Sequence, residues 1–171
     1  MPYRLTDLNQ MTQAEFVAAL GEIFEQTPAI AAQAWSARPF ASRDHLHTHL
    51  VAIVKALSPA QQLALIRAHP DLGRKAQIAA ASAQEQAGAG LDHLTAAEYE
   101  QFQTLNQAYR DRFGFPFLIA VKEHDKHSIL AAFRASLENS LEPERDRALT
   151  EIYKIARFRL EAIVSESPPS R

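Results

Sequence analysis

Apolar residues recur along this chain at helical spacing, in blocks that open on a capping residue and close near Gly or Pro. Thr12-Gln-Ala-Glu15 has the form of a capping box, and Phe16, Leu20, Ile23 and Phe24 then share one stripe. Thr27-Pro28 reads as a cap followed by Pro at the first position of a short helix that carries Trp35. Ser42 opens another helix, with Leu46, Leu50, Ile53 and Leu57 on its apolar side. Ser58-Pro59 opens the next, through Leu63 and Ile66, and Pro70 disfavours helical backbone at His69 and so ends it there. Thr95-Ala-Ala-Glu98 is a second capping box, leading a long helix with Tyr99, Phe102, Leu105 and Tyr109 inward and Gly114 as its stop. Two further helices follow, one carrying Ile129, Leu130, Phe133 and Leu137, the other running from about Pro143 to Val164.

Strand signals are nearly absent. The continuous apolar run Phe115–Val121 makes no sheet alone, and reads as buried irregular chain or a short helix. The expectation is an all-α, single-domain bundle of about seven to nine helices over residues 1–171, with 165–171 as a frayed tail.

Composition narrows the function classes. At 171 residues, 47% apolar and 22% charged, the chain has ordinary globular proportions. A net charge of -2 gives no footprint for nucleic acid or an anionic membrane. The absence of Cys removes disulfides, thiolate metal sites and a Cys nucleophile together. With no apolar run near the roughly 18 residues of a membrane span and no secretory h-region, the expectation is a soluble cytoplasmic protein.

Three constellations carry possible chemistry. His69-Pro70-Asp71-Leu72-Gly73 places an imidazole at a helix C-terminus, where the partial negative charge favours its protonated form and Pro70 stiffens the backbone. That arrangement suits acid/base work, although a capping His before a turn is the plainer alternative. Ser82-Ala-Gln-Glu85-Gln86-Ala-Gly88-Ala-Gly90 sets polar groups among small residues that let a ligand approach the backbone, and equally describes a solvated Ala-rich helix. Arg159 falls inside the apolar arc drawn by Leu149, Ile152, Ile155, Ala156, Leu160 and Ile163, whereas Arg157 points away. A core-facing Arg needs an anionic partner: a structural ion pair, a snorkelling exit, or a ligand held by the guanidinium fork. His45-Leu-His47-Thr-His49 puts His45 and His49 on one helix face, but without a carboxylate at a metalloenzyme spacing it reads as an exposed His-rich face, and no metal site is assigned.

With these residues assembled, HPDLG (69–73), SAQEQAGAGLD (82–92), LTAAEYEQFQTLNQAYRDRFGFPFLIAVK (94–122) and EIYKIARFRL (151–160) resemble the signature blocks of the 2-oxo-4-hydroxy-4-carboxy-5-ureidoimidazoline (OHCU) decarboxylases. The resemblance runs through nearly the whole chain, is strongest from His69 to Leu160, and is nearest the bacterial subgroup because the His69–Ser82 connection is short. It implies an all-helical, usually dimeric carboxy-lyase without metal or organic cofactor, forming (S)-allantoin and CO2 in the last step of urate oxidation to allantoin. A non-catalytic module binding a purine-like ligand in the same pocket is the alternative.

By the same resemblance His69, Glu85 and Arg159 are catalytic. Pro70, Ser82, Glu85, Gln86, Phe117, Leu118, Ile119, Ala120, Val121 and Arg159 bind the substrate. Glu123 departs from the family pattern, standing where a Gly is expected. The implied substrate carries its own electron sink, because the carbon losing CO2 adjoins a C=N bond, which accounts for a reaction without a cofactor. His69 would then act as general acid/base, Glu85 would orient it or fix ureido N–H groups, and Arg159 with backbone amides near Leu118–Ala120 would hold carbonyl oxygens.

Overall fold

The computed structural model describes residues 2–73 and 80–166. In chain order its elements are β1 (Tyr3–Arg4), α1 (Leu5–Leu8), α2 (Gln13–Leu20), α3 (Ala29–Ala34), α4 (Arg43–Ala56), α5 (Pro59–Arg67), α6 (Ala80–Gly88), α7 (Ala96–Phe113), α8 (Lys126–Leu137), α9 (Leu141–Ile163) and β2 (Val164–Ser165), with 3-10 turns at Trp35–Ala37 and Val121–Glu123. The protein is all-α, and its nine α-helices among the described residues fall within the expected seven to nine. No single helix among the described residues is long and apolar enough to cross a membrane.

Most helices begin where the capping residues place them. Thr12 Oγ1 accepts from the Glu15 amide at 3.2 Å, Ser42 Oγ from His45 at 3.0 Å and Ser58 Oγ from Gln61 at 3.2 Å. At the head of α7 the capping box is complete: Thr95 Oγ1 accepts from Glu98 N–H at 3.1 Å and Glu98 Oε1 accepts from Thr95 N–H at 3.0 Å. Gly114 ends that helix at φ 78°, the left-handed conformation that suits glycine. Around α3 the details differ from expectation. Pro28 is the cap rather than the first helical residue, and Trp35 lies in the 3-10 turn. The Trp35 indole N–H donates to the Met11 carbonyl at 2.9 Å and the Arg38 guanidinium stacks on its ring at 4.2 Å, which holds the chain in the tighter turn.

Two compact units are distinguishable, one taking the chain through Leu65 and again from Tyr153, the other Ile66–Ile152. In the first, Leu8, Phe16, Leu20, Phe40, Leu46 and Leu50 are buried, and Phe16 stacks on Phe40 with ring centroids 6.3 Å apart. A parallel two-residue ladder pairs Tyr3 with Val164 and Arg4 with Ser165. Arg43 reinforces it, donating from its backbone N–H to the Glu166 carboxylate at 2.6 Å and from its guanidinium to the Val164 carbonyl at 2.8 Å. Ser165 and Glu166 are therefore tied down rather than frayed. Residues 167–171 lie outside the described residues.

In the second unit Tyr109 is buried among Phe113, Phe115, Phe117 and Phe133, with ring centroids between 4.6 and 5.9 Å away. Phe117 and Phe133 stack at 4.1 Å. Edge-to-face and stacked packing of this kind adds to the burial of area itself. The run Phe115–Val121 is buried throughout and irregular up to its closing 3-10 turn, as its continuous apolar character predicts.

Candidate active site

His69 follows α5, its N–H donating to the Ile66 carbonyl at 3.2 Å, and only 6% of it is exposed. Pro70 blocks further helix, and the next three residues are each fixed through a different group. The Asp71 carboxylate accepts from Arg110 at 2.6 Å, the Leu72 carbonyl from the Asn106 side-chain amide at 2.9 Å, and the Gly73 N–H donates to Gln86 Oε1 at 3.1 Å. Gly73 adopts φ +71°, and a Cβ there would lie 3.0 Å from a Leu94 methyl and 3.4 Å from the Phe102 ring. Conformation and space both call for glycine.

α6 supplies the polar face expected of the Ser82–Gly90 segment. Ser82 and Gln86, four residues apart, are buried, with Glu85 half-buried between them. The solvated-helix alternative therefore does not describe Ser82 or Gln86. The helix ends in a Schellman arrangement, Leu91 N–H reaching Gln86 O at 2.9 Å and Gly90 N–H reaching Ala87 O at 3.0 Å, with Gly90 at φ +84°.

The Phe117–Val121 strap is held from α9. Arg147 donates to the Leu118 carbonyl at 2.8 Å while its guanidinium lies 4.7 Å from the Phe117 ring centre. One turn along, the Glu151 carboxylate accepts the Ala120 N–H over a long 3.4 Å. Glu123, at the end of the following turn, is exposed and has no left-handed backbone, so the expected Gly is not needed there for conformation.

Behind the strap sits Glu144, fully buried. It accepts hydrogen bonds from the Tyr109 hydroxyl at 2.7 Å, Asn139 Nδ2 at 2.9 Å and Arg147 Nε at 2.6 Å. Burial, and then the adjoining carboxylate, push the Tyr109 hydroxyl well above the usual tyrosine range, so it remains a donor.

Arg159 belongs to the other unit. Its guanidinium meets the Glu25 carboxylate at 3.0 Å and the Glu22 carbonyl at 3.1 Å, with 8% of the Arg and 2% of the Glu side chain exposed. The anionic partner that a core-facing Arg requires is thus Glu25, a residue with no motif to draw attention to it. His45 and His49 are less free than an exposed face implies. Both pack on Phe40, with ring centroids 5.6 and 6.0 Å from its own, and His45 Nδ1 accepts the Ala41 N–H at 3.0 Å. Among the described residues no group of three His, Cys, Asp or Glu side chains is placed to hold a metal ion.

His69, Pro70, Ser82, Glu85, Gln86 and the 117–121 strap all fall in the second unit, and Arg159 in the first. Asn106, Glu144 and Glu151 were not singled out in the sequence, yet a signal existed for each. Asn106 interrupts the stripe Phe102–Tyr109–Phe113, and Glu144 and Glu151 lie on the same arc of α9 as Ala148, Ile155 and Arg159.

The chain is all-helical, with a buried His closing one helix and the following turn anchored on the polar face of the next. The model of one family, OHCU decarboxylase, matches residues 9–161, and the chain belongs to that family. It is 45% identical over 162 residues to the 2-oxo-4-hydroxy-4-carboxy-5-ureidoimidazoline decarboxylase of Halalkalicoccus jeotgali, covering 94% of this chain and 92% of that one. It is 46% identical over 164 residues to the uric acid degradation bifunctional protein PucL of Bacillus subtilis, covering 96% of this chain but only 33% of PucL. Among solved structures, a crystal structure of (S)-allantoin synthase superposes with a TM-score of 0.77 at 33% identity, over 96% of this chain and 54% of that one. A crystal structure of OHCU decarboxylase in the presence of (S)-allantoin superposes at 0.68 with 21% identity, over 89% and 97%, and supports the fold.

Proposed function

We propose that this chain decarboxylates 2-oxo-4-hydroxy-4-carboxy-5-ureidoimidazoline to (S)-allantoin and CO2, using neither metal nor organic cofactor, in the last step of urate oxidation to allantoin. Family membership names the reaction. The observation that carries the site is the buried His69 at the end of α5, its turn anchored to Gln86 beside the buried Ser82.

The C–CO2 bond breaks, its electron pair forms a C=C bond with the neighbouring carbon, and the C=N pair moves onto nitrogen, which takes a proton. The resulting enol loses its hydroxyl proton and gains one at carbon on a single face. His69 moves these protons. Glu85 fixes the ureido N–H groups or orients His69. Pro70, Ser82, Gln86 and the strap from Phe117 to Val121 hold the ring, with amides of the strap taking up carbonyl oxygens. The family resemblance also gives Arg159 a part in binding, and its own setting is the ion pair with Glu25. The enzyme works in the cytoplasm as a homodimer, an assembly that light scattering on the purified chain measures directly.

The deciding assay follows the circular-dichroism signal of allantoin after addition of freshly generated OHCU. Production of the (S) enantiomer faster than the spontaneous decay is expected. A racemic product at the uncatalysed rate removes the activity and leaves a ligand-binding module, detectable by (S)-allantoin titration. His69→Ala should keep the helical spectrum and lose nearly all turnover.

A further inference from the structure

We propose that Asn106 is a positioning residue for His69, an inference that rests on the catalytic role given to that histidine above. Leu72 C=O and Gly73 N–H belong to one peptide group, and it is clamped from two helices. Asn106 of α7 donates to the carbonyl at 2.9 Å, and Gln86 of α6 accepts the N–H at 3.1 Å, both bonds buried. Arg110, one turn beyond Asn106 on the same face, holds the Asp71 carboxylate at 2.6 Å.

Between this peptide and His69 stand Pro70, whose ring fixes φ, Asp71, whose side chain is bound, and the backbone torsions of Leu72. The connection is short, so the clamp limits where the His69 backbone lies and hence where its imidazole can reach. Gln86 takes part in both clamp and binding face, so the histidine turn and the α6 surface are held in register through one amide.

The choice of residue supports the same reading. Asn106 is only 4% exposed and interrupts an aromatic stripe in which an apolar side chain would pack without loss. Its Oδ1 is buried with no hydrogen-bond partner among the described residues, a penalty that an apolar residue would avoid. What an apolar side chain of similar shape cannot supply is the donor to Leu72. The asparagine therefore holds a peptide in place at some expense to packing stability.

Asn106→Leu separates the two roles, because leucine keeps the branched shape and removes only the donor. The variant is expected to melt close to the wild type while kcat falls about 10- to 100-fold, the scale of a misplaced catalytic group, with KM within about threefold. In 15N-labelled protein the ring signals of His69, assigned through His69→Gln, should broaden or double relative to the wild type. Ile129→Ala, a cavity variant in the same unit, controls for general loosening and should lose stability without that split between kcat and KM. Unchanged kcat and a single sharp His69 signal in Asn106→Leu overturn the proposal. Should that variant not fold, Arg110→Met on the exposed side of the clamp reads the same effect, and unaltered kcat and His69 signals there overturn it. Were the wild type inactive on OHCU, the proposed reaction would fall, while the ring signals would still decide whether Asn106 orders His69.

Discussion

Replacing Glu144 with Ala tests how the second unit holds its strap. The carboxylate is fully buried and accepts from Tyr109, Asn139 and Arg147 within 2.6 to 2.9 Å. Breaking a buried ion pair costs about 3–5 kcal/mol, because the surviving charge is left without its partner. Arg147 is 26% exposed and keeps its bond to Leu118, which places this pair at the lower end of that range. The Tyr109 hydroxyl, deprived of its acceptor inside an aromatic cluster, adds about 1–3 kcal/mol. The sum is about 4–6 kcal/mol, or a fall in Tm of roughly 10–20 °C for a chain of this size. Tyr109→Phe removes one hydrogen bond and leaves the ring packing, so about 1–2 kcal/mol is expected. Urea unfolding of wild type, Y109F, E144A and the double variant gives the coupling directly. The expected coupling is about 1–2 kcal/mol. An E144A stability within about 1 kcal/mol of wild type, or strict additivity in the cycle, refutes the account of Glu144 as the buried anchor.

Two glycines make opposite predictions. Gly73→Ala forces a Cβ into left-handed backbone and against Leu94, and should lower stability by about 1–2 kcal/mol and depress turnover, whereas Gly88→Ala, in the last turn of α6 with nothing among the described residues within 4 Å, should raise stability by about 0.5–1 kcal/mol. Thermal melts of the two variants check both signs. Glu98 is held below the ordinary glutamate range, first by the Thr95 N–H and then by the Lys126 ammonium. A depressed folded-state value means its contribution is complete above the unfolded value of about 4.3 and is lost as pH falls through the folded one. The stability difference between wild type and Glu98→Gln should therefore shrink below about pH 4.3, and a gap that stays constant to pH 3 in urea titrations would contradict the assignment.

Most of the helical layout was legible because its determinants are local. Thr12, Ser42, Ser58 and Thr95 announce helix starts through oxygens three residues from the amides they satisfy, and Gly114 announces a stop through its own backbone. The burial of Arg159 was legible for the same reason, since its angle on the helix follows from spacing alone. Its partner was not: Glu25 lies 134 residues away and stands in no motif. Glu144 and Glu151 were legible in principle, because both fall on the arc of α9 that also carries Ala148, Ile155 and Arg159. Asn106 is harder, since the carbonyl it serves lies 34 residues back in a turn whose conformation no local pattern specifies. The β1–β2 ladder is two residues long on each side, too short to display alternation, and could not have been read.

That small ladder has an architectural consequence. Because Tyr3 and Val164 are paired in parallel, the two described ends of the chain lie side by side and run in the same direction. A module whose chain enters at one end of so short a ladder and leaves at the other, on neighbouring strands, can be strung between other segments, or joined to a second domain, without levering its helices apart. It can equally be re-cut, with old termini bridged and new ones opened at an exposed loop.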